Sequence, residues 1–217
     1  MQITLYIADD HAVVRDGLRA LLESEGDLAV LGGAADGRTA VREITTLHPD
    51  IVLMDISMPE LNGIDAAQQI MQAMPDTKII ILSMHSTTEH VYRAFKAGAR
   101  GYLLKDAAGK ELIAAVRDVA RGRRFLSEKI ADLMMDDIAA RGNGERDQSP
   151  LERLSPRERQ ILQMVSEGRT SAEIADILFL SPKSVDTYRS RLMQKLGIKD
   201  LPSLIRFAIL HGLTRLE

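Results

Sequence analysis

The sequence predicts an α/β fold, a doubly wound parallel sheet of five strands, followed by a small all-α domain. Two observations carry that expectation. Five short apolar runs alternate with stretches whose apolar residues recur at helical spacing. Beyond Leu151 the strand-like runs stop, and four short helical segments follow with clear start and stop signals. A chain of 217 residues is long enough for one large domain or two small ones.

The runs are Ile3–Ala8 (ITLYIA), Leu28–Ala34 (LAVLGGA), Ile51–Met54 (IVLM), Lys78–Ser83 (KIIILS) and Gly101–Lys105 (GYLLK). Each is too short for a helix and rich in Ile, Val or Leu, as strands covered on both faces are. Between them lie helical stripes: Val14, Leu18, Leu21 and Leu22; Val41, Ile44 and Leu47; Val91, Phe95 and Ala99; Leu112, Ala115, Val116 and Val119. Strands alternating with helices make a parallel sheet. Such sheets bind ligands at the carboxyl ends of their strands. The pattern stops near Gly122. Phe125–Ala140 is expected to be an amphipathic linker helix, with Ile130, Leu133, Met134 and Ile138 on one side. Arg141–Pro150 is polar and Gly-bearing, and reads as a mobile linker. The expected divisions are therefore 1–122, 123–150 and 151–217.

In the last division, Ser155 caps a helix with Pro156 at its first position, Glu158 three residues after the cap and Gly168 as the stop. Ser171 is the expected cap of the second helix. Ser181 and Pro182 open the third, which ends at Gly197, and Leu201–Gly212 forms the fourth. A short helix, the turn Phe179–Leu180 and the helix after it suggest a helix-turn-helix. Val185, Leu192 and Leu196 would anchor the third helix, while Lys183, Asp186, Thr187, Ser190 and Arg191 fall off that stripe. Ser181–Lys199 carries five basic residues and one acidic residue, and its helix start suits a phosphate.

The charge is uneven. The net charge is −3, but Pro150–Glu217 holds 11 Lys/Arg against 8 Asp/Glu, leaving 17 against 23 in the rest. An acidic first part joined to a mildly basic second part fits an anion-binding module tethered to something else. With no cysteine there is no disulfide framework and no Cys-based metal site. No apolar run approaches the ~20 residues of a membrane span. The first residues lack a signal-peptide layout, so a cytoplasmic protein is expected.

The chemistry gathers at the strand ends. Asp9 and Asp10 follow the first strand side by side, where like charges about 4 Å apart repel by roughly 4 kcal/mol. Asp55 ends the third strand, Ser83 the fourth and Lys105 the fifth. Lys105 can offset one of the three carboxylates. A hard divalent cation, Mg²⁺ or Mn²⁺, can offset the rest. That combination suits phosphoryl transfer to a carboxylate. Asp55, alone at the central strand, is the expected nucleophile, with Ser83 and Lys105 placed to bind phosphoryl oxygens.

These residues resemble the receiver domain of two-component response regulators. The likeness is carried by Ala8–His11 (ADDH), Met54–Asp65 (MDISMPELNGID), Leu82–Ser86 (LSMHS) and Lys96–Ala107 (KAGARGYLLKDA). The resemblance implies a flavodoxin-like sheet with Asp55 as phosphoacceptor and Lys105 as the family's lysine. It implies Asp10 as a direct Mg²⁺ ligand and Asp9 as a ligand through water. Asp55 and the backbone carbonyl of Ser57 complete the set. Ser83 and Tyr102 match the switch positions. Two departures stand out: Met84 where many receivers carry a small residue, and Asp106 where many carry proline. The helical domain in turn resembles the LuxR-type helix-turn-helix of the NarL/FixJ subfamily, through Leu154–Gly168, Glu173–Ile198 and the last helix. By that likeness Asp186, Thr187 and Ser190 would face base edges, and Lys183, Tyr188, Arg189, Arg191 and Lys195 would contact phosphates. The implied protein is a regulator switched by phosphorylation. It accepts phosphoryl groups from a sensor histidine kinase and binds double-stranded DNA. It pairs as a homodimer through the receiver or the helix 201–212, and it is not an enzyme beyond slow turnover of its own phosphate.

Three rivals are open at this point. A phosphohydrolase with an aspartyl-phosphate would usually carry a second acid two residues after the nucleophile, where Ser57 stands. A flavodoxin-type cofactor protein would not suit so acidic a rim. A receiver signalling only through proteins would show no salt-dependent DNA binding.

Overall fold

The computed structural model describes residues 2–106, 109–141 and 149–214. The expected alternation is present. It runs β1 (Ile3–Ala8), α1 (Ala12–Glu23), β2 (Leu28–Ala34), α2 (Gly37–Leu47), β3 (Ile51–Asp55), α3 (Gly63–Ala73), β4 (Lys78–Ser83), α4 (Thr88–Lys96), β5 (Gly101–Leu104) and α5 (Gly109–Ala120). The strands lie in the order β2-β1-β3-β4-β5, every pair parallel. Strand residues alternate between two cores. Leu5, Ile7, Leu53, Ile80 and Leu103 pack against α1 and α5, while Tyr6, Val52, Met54, Ile81 and Tyr102 face α2, α3 and α4. Burying each such apolar side chain stabilises by about 1.5–3 kcal/mol. The two-faced burial is why these runs read as continuously apolar.

The sheet has a sixth strand that the sequence did not announce. β6 (Phe125–Leu126) pairs with β5 in parallel, and the helix that follows, α6, spans Glu128–Arg141. Phe125 and Ser127 donate to the carbonyls of Arg100 and Tyr102, covering an edge whose polar groups would otherwise lie open. Two residues are too few to show an alternation, so the strand was invisible and the helix seemed to start early. On α6 only part of the expected face is used: Ile130 is buried and Met134 packs on the sheet's core, but Ile138 is exposed. The residues expected as a mobile linker lie, for 142–148, outside those described. Ala99 of the third stripe falls past the end of α4, beyond Gly98 at φ +103°.

A short 3₁₀ turn, Pro150–Arg153, leads into α7 (Pro156–Ser166), α8 (Ser171–Leu178), α9 (Pro182–Leu196) and α10 (Leu201–Leu210). Their core includes Leu154, Ile161, Leu162, Ile174, Leu178, Val185, Leu192, Leu204 and Ala208. Ser155 and Glu158 form the expected reciprocal cap. The cap of α8 is Thr170, not Ser171; Thr170 and Glu173 repeat the same reciprocal pattern, and Ser171 is the first helical residue. α10 ends at Leu210, two residues short of the expected Gly212, whose φ of +63° takes it out of the helix. Among the described residues no helix is long and apolar enough to cross a membrane.

The two units pack through α7 and the loop between β3 and α3. Gln163 of α7 is fully buried there: its Oε1 accepts from the Asn62 amide at 2.8 Å and its Nε2 donates to the Met58 carbonyl at 2.7 Å. Beside it, Arg159 donates to Asp65 Oδ1 at 2.6 and 2.8 Å.

Candidate functional site

The strand ends bring Asp9, Asp10, Asp55, Ser83 and Lys105 onto one rim. Asp55 is the last residue of β3, where its backbone pairs with Leu82 of β4. A close backbone approach fixes that end. Gly63, the first residue of α3, packs so tightly that a Cβ there would lie 1.8 Å from the Asp55 carbonyl oxygen. The helix can therefore start directly under the site only with glycine at that position.

Lys105 is the cation at the centre. Its Nζ lies 2.7 Å from Asp9 Oδ2 and 2.8 Å from Asp55 Oδ2. Asp9 and Asp55 are each only 1% exposed, so these ion pairs sit where water screens little. Removing Lys105 would leave both carboxylates without their cation, a loss of about 3–5 kcal/mol. Asp10 is partly open to solvent and lies against His11, whose Nδ1 is 2.7 Å from Asp10 Oδ1 and 3.2 Å from Asp9 Oδ1. Side-chain ligand atoms of Asp9, Asp10, His11 and Asp55 all fall within 4.8 Å of one another. Three carboxylates against one lysine leave an excess of negative charge. The oxygen donors are hard, and together these two features fit a divalent cation of the Mg²⁺ class. His11 belongs to this cluster and was not expected in it. It precedes α1 without a side-chain capping bond, and its ring turns toward the carboxylates.

Ser83 is fully buried, and its Oγ accepts from the backbone amide of His85 at 2.9 Å. Tyr102 is likewise buried, and its hydroxyl donates to the His85 carbonyl at 2.7 Å. Burial pushes that hydroxyl up to about 12, so it is a donor at any ordinary pH. Ser57, two residues beyond Asp55, places its Oγ 3.0 Å from His85 Nε2. His85 thus collects Ser57, Ser83 and Tyr102 around itself. No spacing in the sequence announces its part, because two of these three contacts are made through its own backbone. Met84 beside it is exposed. Asp106, in place of proline, forms an ion pair with Lys129 at 2.6 Å.

The third helix of the C-terminal unit, α9, separates its residues as the stripe predicts. Val185 and Leu192 are fully buried, and Leu196 packs at the core's edge. Lys183, Asp186, Thr187, Ser190, Arg191 and Lys195 are exposed. Tyr188 departs from the expected pattern by packing partly against the core. Some exposed groups are engaged: Asp186 accepts from Ser171 Oγ at 2.7 Å and lies 3.4 Å from Arg189, and Lys195 pairs with Glu158 at 2.7 Å. Phe179, in the left-handed region at φ +54°, forms the turn between α8 and α9 and is 88% exposed.

Comparison with known proteins places both units. The family described as "Response regulator receiver domain" matches residues 5–117, and "Bacterial regulatory proteins, luxR family" matches residues 152–208. The chain is 37% identical over 208 residues to the oxygen regulatory protein NreC of Staphylococcus carnosus (strain TM300), covering 94% of this chain and 96% of that one. It is also similar to RcsB from Salmonella enterica serovar Typhimurium, solved bound to promoter P1flhDC in the presence of phosphomimetic BeF₃⁻. There the TM-score is 0.62 at 27% identity, over 95% of this chain and 98% of that one. A structure of two RcsB dimers bound to two parallel DNAs gives a TM-score of 0.62 at 27% identity, covering 99% of this chain and 100% of that one. The acidic rim with its lysine and the helix-turn-helix therefore sit in a chain that belongs to the two-component response regulators of the NarL/LuxR family, a receiver domain joined to a DNA-binding domain.

Proposed function

We propose that this regulator is switched by transfer of a phosphoryl group from a sensor histidine kinase to Asp55. The observation that carries the reading is Lys105 bridging Asp9 and Asp55 at 2.7 and 2.8 Å, with Asp10 alongside. An Asp55 carboxylate oxygen attacks phosphorus. The bond from phosphorus to the donor's histidine nitrogen breaks, and its electron pair leaves with the imidazole, which takes up a proton. The product is an acyl phosphate on Asp55. Lys105 holds the carboxylate in place beforehand and ion-pairs with a phosphoryl oxygen afterwards. Ser83 Oγ donates to another. Asp9, Asp10, Asp55 and the backbone carbonyl of Ser57 would hold Mg²⁺ or Mn²⁺, which when bound offsets charge on the phosphoryl oxygens. Loss of the phosphate by slow hydrolysis resets the switch, and no further substrate is turned over.

In this reading residues 1–122 form the receiver, 123–150 the connector and 151–217 the DNA-binding domain. Asp186, Thr187 and Ser190 face base edges, and Lys183, Tyr188, Arg189, Arg191 and Lys195 serve the phosphates. An acidic reader at Asp186 can accept from cytosine N4. The exposed row on α9 supports this reading. The active form is a homodimer, through the receiver or through α10, on two half-sites about one helical turn apart. It works in the cytoplasm, where the nucleoid and the kinase's phosphorylated domain are both accessible.

The test is genome-wide DNA footprinting of wild type against Asp55→Asn under kinase stimulation, with intact-mass measurement of the purified proteins. Wild type gains one phosphate and protects defined sites; Asp55→Asn gains none and protects them weakly. Equal occupancy by the two proteins under stimulation would remove phosphorylation from the mechanism.

A further inference from the structure

His11 stands at the rim in a position whose local structure does not ask for an imidazole. It precedes α1 at the capping position, and its side chain makes no capping bond there. Serine, threonine, asparagine or aspartate would satisfy a helix amide at that place. Its backbone amide donates to Asp9 Oδ1 at 3.0 Å, a bond open to any residue but proline. What histidine adds is the ring, which turns back over the two carboxylates. Nδ1 lies 2.7 Å from Asp10 Oδ1 and 3.2 Å from Asp9 Oδ1. The side chain is half exposed, so an ion can reach it from solvent.

The spacing of these atoms fits coordination as well as hydrogen bonding. Nδ1 carries one proton or one lone pair, yet two carboxylate oxygens converge on it. Ligands at neighbouring corners of an octahedron with bonds of about 2.1 Å stand about 3 Å apart. The two distances at His11 bracket that edge. Asp55 completes the set, since one ligand atom from each of Asp9, Asp10, His11 and Asp55 lies within 4.8 Å of every other. Asp9 divides its two oxygens: Oδ2 meets Lys105 at 2.7 Å, and Oδ1 is the one near His11. The lysine and the imidazole therefore do not compete for the same atom.

We propose that His11 Nδ1 is a ligand of the rim cation, and that it tilts the site from Mg²⁺ toward divalent metals that accept nitrogen. The inference rests on the cation that the proposed function puts at this rim. Oxygen donors suit Mg²⁺ and Mn²⁺, whereas imidazole suits Ni²⁺ and Zn²⁺. Carboxylates alone make a site for hard cations. One nitrogen among them lets a later transition metal compete at a lower concentration. An imidazole that only donated a hydrogen bond to Asp10 would orient the carboxylates, and its removal would weaken every cation alike. The two roles separate in selectivity and in spectroscopy.

The test uses the untagged, unphosphorylated full chain with Mn²⁺ as the probe. Electron paramagnetic resonance counts bound Mn²⁺, and electron spin-echo modulation detects nitrogen bonded to it. Wild type is expected to show nitrogen modulation, and His11→Ala to bind Mn²⁺ without it. Asp10→Ala should release the Mn²⁺, which locates the probe at the rim. Ni²⁺ and Mg²⁺ are then titrated against bound Mn²⁺, so that only competition at the rim is read. His11→Ala should lose Ni²⁺ affinity by at least about 10-fold, the lower end of what removing even an outer-shell partner costs. Its Mg²⁺ affinity should stay within a factor of about 3. His11→Ala has no capping bond to lose, and circular dichroism melting in chelator checks that it is folded. Rim-bound Mn²⁺ without nitrogen modulation in wild type, or modulation that persists in His11→Ala, takes His11 out of the coordination sphere. Equal losses of Ni²⁺ and Mg²⁺ affinity make it an orienting residue and overturn the proposed selectivity. If wild type binds no Mn²⁺, or Asp10→Ala binds it as well, the cation reading of the rim fails and the proposal falls with it. Mn²⁺ bound without nitrogen and lost in Asp10→Ala defeats the proposal alone.

Discussion

The carboxylate rim and the helix α9 hold their charges under opposite conditions. At the rim Asp9 and Asp55 are buried, and Lys105 reaches both within 2.8 Å. On α9 the charged and polar row is exposed, and the fixed part is the apolar stripe beneath it, Val185 and Leu192. The difference fits the two tasks proposed for these residues. Chemistry at one atom needs charges held in place before the reactant arrives, and low screening makes each worth more. Binding a polyanion needs many charges that give up counterions together, each worth little alone. A substitution at the rim should therefore act all-or-none, and one on α9 by degrees.

The largest effect is expected at Asp10. Asp10→Ala removes a proposed direct metal ligand. Phosphate uptake from phosphoramidate should lose its Mg²⁺ dependence and slow on the order of 100-fold or more, beyond the 10–100-fold typical of losing an outer-shell partner. Because the substitution also removes a like charge beside Asp9, melting in chelator should not fall. A variant that keeps the wild-type Mg²⁺ titration would show that Asp10 is not a ligand, and the rim would lose half of its distinction from any buried ion pair.

Next comes the stripe of α9 against its outer row, tested at adjacent residues. Leu192 is fully buried, and Leu192→Ala should cost about 2–5 kcal/mol in denaturant unfolding of the C-terminal domain. Its exposed neighbour Arg191 should behave in the opposite manner. Arg191→Ala should change stability by no more than about 0.5 kcal/mol. DNA affinity should fall for every sequence alike, and the salt dependence of log K should lose a slope of about 1. An Arg191→Ala protein with an unchanged slope would take that residue off the phosphates.

Much of this was legible in the sequence, for a physical reason. A buried parallel strand must be apolar throughout, so the five runs declared themselves, and residues at their carboxyl ends had to share one rim. Asp9, Asp10, Asp55, Ser83 and Lys105 meet there for that reason alone. What was illegible depends on contacts with no spacing rule. β6 is two residues long, and its pairing with β5 rests on backbone bonds available to any residue. His85 meets Ser83 and Tyr102 through its amide and carbonyl, which leave no mark in the side-chain pattern. Gln163, Glu89 and Gly212 join parts of the chain about 100 residues apart or more, and only the packed fold brings them together.

The smallest predicted effect concerns the start of α8, where the sequence carries the signal and the cap is Thr170, one residue before the expected Ser171. Both Thr170 and Ser171 are hydroxyl residues ahead of the apolar stretch of α8. Only Thr170 has Glu three positions on, at Glu173, which closes the reciprocal pair: Thr170 Oγ1 accepts from the Glu173 amide, and Glu173 Oε2 accepts from the Thr170 amide at 2.7 Å. Ser171 instead spends its hydroxyl on Asp186 of α9. Thr170→Ala should therefore destabilise the C-terminal domain by about 1 kcal/mol in denaturant titration. Ser171→Ala, which removes only an exposed bond and no cap, should destabilise it by less. It should instead alter the proposed DNA-reading row, because Asp186 loses one of its two partners and keeps only Arg189. If Ser171→Ala proves the more destabilising of the two, the cap lies where the apolar pattern alone would put it, and α8 starts one residue later than the reciprocal pair requires.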